Sequence, residues 1–188
     1  YQAVINRRNN IDYKNIGFSG RGKAEVEVME YLANLDMSVF VYCPLNVYDL
    51  DELRNVHPRG YKIIREKNPD LPIIIITTPH SVANEADDVD YTYRRRIVEM
   101  QTYINAYESG DKNVYFIDGE NIFGEDGDAC TMDSCHPNDL GFYRFTQALY
   151  PLFQEPLLLA LHQKHPGHQC PEHSVYLPGR YFPGAAVQ

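Results

Sequence analysis

Four consecutive isoleucines, Ile73 to Ile76, constrain this chain more than any other feature. Side chains of a strand alternate between two faces, so a run that is apolar at every position needs cover on both. The longest apolar stretch, Leu71 to Thr77, is strand-sized and far short of the roughly 18 residues of a transmembrane helix. It predicts a doubly covered central strand in a parallel sheet.

Elsewhere short β-rich runs alternate with longer segments of helical spacing, the pattern of strands joined by crossover helices. Four strands are expected, over Asp12 to Ile16, Ser38 to Cys43, Pro72 to Thr77 and Asn113 to Ile117. Helices are expected near Ala24 to Ala33, Leu50 to Lys67 and Tyr91 to Ser109. A last helix should start behind Asn138 or Asp139, place Phe142, Phe145, Leu149 and Leu152 on its apolar side, and run to about His162. Pro151 and Pro156 should kink or break it. The expectation is one domain over residues 1–161, followed by a Pro-, Gly- and His-rich tail over 162–188. Right-handed crossovers put the C-terminal ends of all strands on one edge, where open α/β sheets bind ligands. The loops after the strands are therefore where chemistry is expected.

Charge narrows the partners. Lys plus Arg is 17 against 26 Asp plus Glu, a formal net charge of -9, which argues against a nucleic-acid footprint or attraction to anionic lipid. A soluble chain is expected, with small neutral or cationic partners left open. The 15 tyrosines are spread without the basic and aromatic pairing of a nucleic-acid platform. The chain begins Tyr-Gln-Ala-Val-Ile-Asn-Arg-Arg, which is neither a start methionine nor a signal peptide, so compartment and oligomeric state stay open. Cys43 reads as a buried thiol in a strand, and a Cys130–Cys135 disulfide is a minor option.

Three loops hold candidate chemistry. Asn15-Ile16-Gly17-Phe18-Ser19-Gly20-Arg21-Gly22-Lys23 is a glycine-rich turn that would present N–H groups near a helix start. It is a poor dinucleotide fingerprint, because the glycines stand at 17, 20 and 22. As a nucleophile elbow around Ser19 it has Arg21 where the second glycine is needed, and a plain β-to-α turn remains open. After the second strand, Asn46 is placed either to donate to a ligand or to close an Asx turn. After the fourth comes Asp133-Ser134-Cys135-His136-Pro137-Asn138-Asp139-Leu140-Gly141. An acid three residues before a histidine can accept the Nδ1 proton and leave Nε2 as a general base. The competing reading is a helix-capping loop.

In this order these loops resemble blocks II, III and V of the SGNH hydrolases, in the subgroup of GDSL-like lipases and acylhydrolases. The resemblance covers most of residues 1–156. It implies a flavodoxin-like, three-layer α/β/α fold with a parallel sheet, and a serine esterase that needs no metal or organic cofactor. It maps the oxyanion-hole donors onto Gly20 and Asn46, and the general base with its orienting acid onto His136 and Asp133. Two departures stand out. Asn46 is followed by Val47 rather than the Asp of many members, and block I, with the nucleophilic serine, has no counterpart. None of Ser19, Ser38, Ser81, Ser109, Ser134 or Ser174 stands in a block I setting. In the family the block I strand lies between the first two strands expected above. Its loss would leave strand edges unpaired at about 1 to 3 kcal/mol for each buried group. The expected explanation is that the sequence is a piece of a longer protein, inactive by itself.

The substrate expected from the resemblance is a small carboxylic ester, with an acetylated carbohydrate as the specific guess. A rival of another class is a non-catalytic module that binds carbohydrate or another small ligand through Gly20, Asn46 and His136. A weaker idea is zinc held by His162, His165, His168, Cys170 and His173, whose spacing matches no closed four-ligand site. Arg94, Arg95 and Arg96 beside Asp87, Asp88 and Asp90 read as a solvated helix start with local ion pairs.

Overall fold

In the computed structural model, residues 1–80 and 88–153 are described. Three strands, β1 (Phe40–Tyr42), β2 (Ile73–Ile76) and β3 (Val114–Ile117), form a parallel sheet in the order β1-β2-β3. Register pairs Phe40 with Ile73 and Ile73 with Val114. The helices are α1 (Gln2–Asn9), α2 (Val26–Ala33), α3 (Leu50–Lys67), α4 (Tyr91–Glu108) and α5 (Asp139–Leu149).

The isoleucine run behaves as its composition requires. Ile73 and Ile75 pack with Tyr42, Ile64, Ala106 and Val114 on the face covered by α2, α3 and α4. Ile74 and Ile76 pack with Val39, Tyr115, Phe145 and Leu149 on the face covered by α5. All four are essentially inaccessible, so β2 is the spine of a three-layer α/β/α arrangement. No helix among the described residues is long and apolar enough to cross a membrane.

The span of α3 is the one expected, and its ends show why. The Asp49 side chain accepts from the Glu52 N–H at 2.7 Å, acidic Asp51 and Glu52 occupy the first turn, and Arg65 and Lys67 occupy the last. Leu53, Val56, His57, Gly60 and Ile64 recur along its buried side. Helix α5 ends at Leu149, and Pro151 falls in the 3-10 turn Tyr150–Phe153 that follows, where a missing N–H is tolerated. Phe142, expected on the apolar side, is 42% exposed; the buried side runs through Gly141, Phe145 and Leu149. Pro156, the continuation to His162 and the 162–188 tail with its histidines lie outside the described residues.

Two expectations are corrected. Asp12 to Ile16 is not a strand; residues 12–20 are exposed and irregular. Ile16 and Phe18 of this segment line a cleft of about 580 Å³ together with Val39, Val41 and Cys43, and among the described residues the segment makes no ladder with β1. Pairing needs a neighbour within hydrogen-bond reach, and across this gap there is none. The second correction is α1, which sequence periodicity does not reveal because only Ile5 is buried along its two turns. It is held by packing, with Tyr1 stacked on Phe145 at 5.2 Å between ring centroids.

Candidate active site

The C-terminal edge of the parallel sheet gathers the loops that follow β1 and β3. The loop after β3 is tightly closed near its end. Met132 N–H donates to the His136 carbonyl and Asn138 N–H to the Cys130 carbonyl, both at 2.9 Å, around a bridge between Thr131 and Pro137. Ser134 takes a left-handed φ of 62° at the tip.

That turn fixes the dyad. Asp133 Oδ1 accepts the backbone N–H groups of His136 at 2.7 Å and Cys135 at 3.1 Å, while Oδ2 lies 2.7 Å from His136 Nδ1. Hydrogen bonds from the His136 backbone and ring hold the Asp133 carboxyl below the usual carboxylate range. A carboxylate on Nδ1 favours the tautomer with the proton there, so Nε2 is left with its lone pair. Among the described residues nothing pairs with Nε2. Both side chains are largely exposed, 54% for Asp133 and 72% for His136. An exposed pair adds little to stability, so the contact matters for what it does to the imidazole.

The capping alternative is also realised, by a different residue. Asn138 caps α5 by accepting from Gly141 N–H at 3.1 Å, and its amide donates to the carbonyls of Ala129 and Thr131 at 2.8 and 3.1 Å. Gly141 sits so close to the Cys130 backbone carbonyl that a Cβ would collide with it. Gly141→Ala is therefore expected to destabilise the fold by about 2 to 3 kcal/mol, because backbone has to move. Urea denaturation of variant and parent measures this, and an unchanged midpoint would contradict the close approach. Cys130 is buried, and Cys43, Cys130 and Cys135 are free thiols, so the Cys130–Cys135 disulfide does not form; Cys170 lies outside the described residues.

Asn46 sits half-buried in the turn after β1, and its Nδ2 lies 3.9 Å from where a Cβ of Gly22 would be. The glycine-rich loop and the Asn46 turn thus meet at one end of the cleft beside β1. Gly20 lies in an exposed turn closed by Arg21 N–H to the Phe18 carbonyl at 3.2 Å, with φ of 48° at Ser19 and 82° at Gly20. The turn does not open a helix, since α2 starts only at Val26. With neither strand before nor helix after, Ser19 is not on a nucleophile elbow. Neither Gly20 nor the dyad lines the cleft that receives Asn46.

Of the basic run, Arg94 pairs with Asp88, and Arg96 pairs with Asp118 at 3.4 Å and with Glu120. The solvated reading holds for Arg94 but not for Arg96, whose side chain is only 12% exposed, and least of all for Arg95. Arg95 is 1% exposed and ion-paired with the equally buried Glu99. The four-residue spacing of Arg95 and Glu99, on the same side of α4 as Thr92, Val98 and Thr102, is the sequence signal for burial that charge alone obscures. His57 is the other buried polar group of note. Burial, together with the Arg95 charge, pulls its pKa down to about 3, and Nδ1 lies 2.8 Å from Thr102 Oγ1. It stays neutral in the core and is no second base. Asp87 and Ser81 lie outside the described residues, and among those described no cluster of three metal-ligating side chains occurs.

A parallel sheet with helices on both faces is a three-layer α/β/α architecture, and here an acid–histidine pair follows its last strand. Residues 1–154 match the GDSL-like Lipase/Acylhydrolase family, and the chain belongs to it. Among solved structures it is similar to a protein of Bacteroides ovatus assigned as a GDSL-like lipase, with 30% identity and a TM-score of 0.73 over 80% of this chain and 45% of that one. A salicylyl-acyltransferase from a tetracycline biosynthetic pathway shares the fold at 18% identity and a TM-score of 0.70, over 82% of this chain and 49% of that one. The chain spans about half the length of each. No curated protein sequence matches it.

Proposed function

We propose that this chain supplies the acid–base pair and the oxyanion donors of a serine ester hydrolase acting on a small-molecule carboxylic ester. One observation carries the reading: Asp133 holds His136 by both backbone N–H and Nδ1, which leaves Nε2 without a partner among the described residues, in the loop that follows β3. Membership of the acylhydrolase family supports it.

The attacking serine would come from a segment outside this sequence. The cleft along β1 is where its strand would pair, since among the described residues β1 has a partner only in β2. That serine Oγ attacks the ester carbonyl as Nε2 of His136 takes its proton. Gly20 N–H and the Asn46 amide donate to the oxyanion, each worth on the order of 10² to 10³ in rate. Collapse of the intermediate expels the alcohol, which receives the proton from His136. Water then repeats the cycle on the acyl-enzyme, again with His136 as base. No metal or organic cofactor enters these steps, and an acetylated carbohydrate is the substrate we would try first.

Hydrolysis of p-nitrophenyl acetate tests the reading. The chain by itself is expected to be no faster than its His136→Ala variant. The protein extended upstream of Tyr1 is expected to turn over and to lose that turnover on the same substitution. Turnover by the chain alone that Ser19→Ala abolishes would overturn the assignment. The exposure of the dyad favours a second reading, a binding module without catalysis. It predicts calorimetric binding of carbohydrate that is weakened by Asn46→Ala, with no turnover in any form.

A further inference from the structure

Arg95 and Glu99 are the largest buried charges among the described residues, and the proposed chemistry uses neither. Their contacts all lead to the strand ends. Arg95 Nη1 donates to the Val47 carbonyl and Nη2 to the Pro44 carbonyl, the latter at 3.1 Å. These two carbonyls bracket Asn46. One turn earlier on α4, the Tyr91 hydroxyl donates to the Tyr48 carbonyl at 2.6 Å. The other side of the guanidinium is anchored: Nε donates to Thr78 Oγ1 at 2.6 Å and to Glu99 Oε1 at 3.2 Å. Glu99 in turn accepts from Thr78 N–H at 2.6 Å and from Thr78 Oγ1 at 2.8 Å. One helix thereby ties the loop after β1 to the loop after β2.

We propose that Arg95 is a positioning residue that sets the orientation of the Asn46 side-chain amide by gripping the Pro44 and Val47 carbonyls at the two ends of its turn. For the use of that amide, the proposal rests on the esterase reading; for the grip itself, it does not. Stability alone is a poor reason for a guanidinium here, because a buried ion pair contributes little beyond a well-packed apolar pair of similar volume. What an apolar pair lacks is direction. The planar fork presents several donors at fixed angles, so two carbonyls held by one guanidinium fix the Pro44–Leu45 and Val47–Tyr48 peptide planes that bracket Asn46. An oxyanion donor is effective only when it is aimed before the charge develops.

The test compares Arg95→Met/Glu99→Met, which replaces the whole pair, and Arg95→Lys, which keeps the charge without the fork, with the parent. Backbone 15N relaxation of Val47 and side-chain relaxation of Asn46 report the loop. Order parameters are expected to fall from about 0.85 to below about 0.6 in both variants, while the amides of Ile73 to Ile76 stay protected. In the ester-hydrolysing form of the protein, kcat should fall about 10²-fold with KM unchanged. An ordered Asn46 loop in a folded variant overturns the proposal, and Arg95→Lys carries that readout if the double variant does not fold. A loosened loop in a protein whose parent hydrolyses no ester supports the grip and overturns the esterase reading instead, so the two fail separately.

Discussion

Asp133→Asn in the ester-hydrolysing form of the protein is expected to lower kcat by about 10⁴-fold while leaving the fold intact. The two carboxylate oxygens have separate tasks. Oδ1 receives the N–H groups of Cys135 and His136, and an asparagine oxygen can keep both. Oδ2 receives the Nδ1 proton of His136, and there the asparagine NH₂ can only donate. The imidazole is driven to the other tautomer, with its proton on Nε2, and can no longer accept one from a serine. Circular dichroism and the urea midpoint should match the parent, because the pair is exposed and adds little to stability. A loss of less than tenfold would show that the Asp133–His136 contact does not serve catalysis. The depressed Asp133 carboxyl gives the pH direction. Its contribution is present above its unfolded pKa and lost as pH falls through the folded one, so the dyad should loosen only in acid.

Arg95→Met alone is expected to be the most destabilising of the single substitutions considered, by about 3 to 5 kcal/mol, because it leaves Glu99 buried without its partner. The size of the loss should depend on pH. Burial raises the Glu99 pKa, opposed mainly by the Arg95 charge and by the Thr78 hydrogen bonds. A carboxyl with a raised folded pKa contributes stability that is complete below its unfolded value and is lost as pH rises through the folded one. Removing Arg95 leaves burial less opposed and pushes the folded value higher, so the loss with rising pH steepens. Urea denaturation should show the gap between variant and parent widening as pH rises past the raised pKa of Glu99 in the parent. A gap that stays constant, or narrows, would mean that Glu99 does not titrate in this way. The double variant used to probe the Asn46 loop removes both charges and should show no such widening.

Local sequence determined a good deal of this molecule. Ile73 to Ile76 demanded cover on both faces and received it, since each isoleucine's face is dictated by alternation alone. The span of α3 was legible because its cap, its end charges and its apolar spacing all lie within one continuous stretch. Asp133 and His136 were legible for the same reason: three residues apart, they meet through a single turn that Asp133 itself organises. What could not be read depends on partners distant in sequence. Asp12 to Ile16 has strand-like composition, yet pairing is decided by a neighbouring edge, and that edge stands across a cleft. α1 has too short a period to announce itself and forms where Tyr1 finds Phe145. Arg95 looked like one of three surface arginines. Only the packing of α4 over Pro44, Val47 and Thr78 made it the buried charge, because burial is a property of what surrounds a side chain and not of the side chain itself.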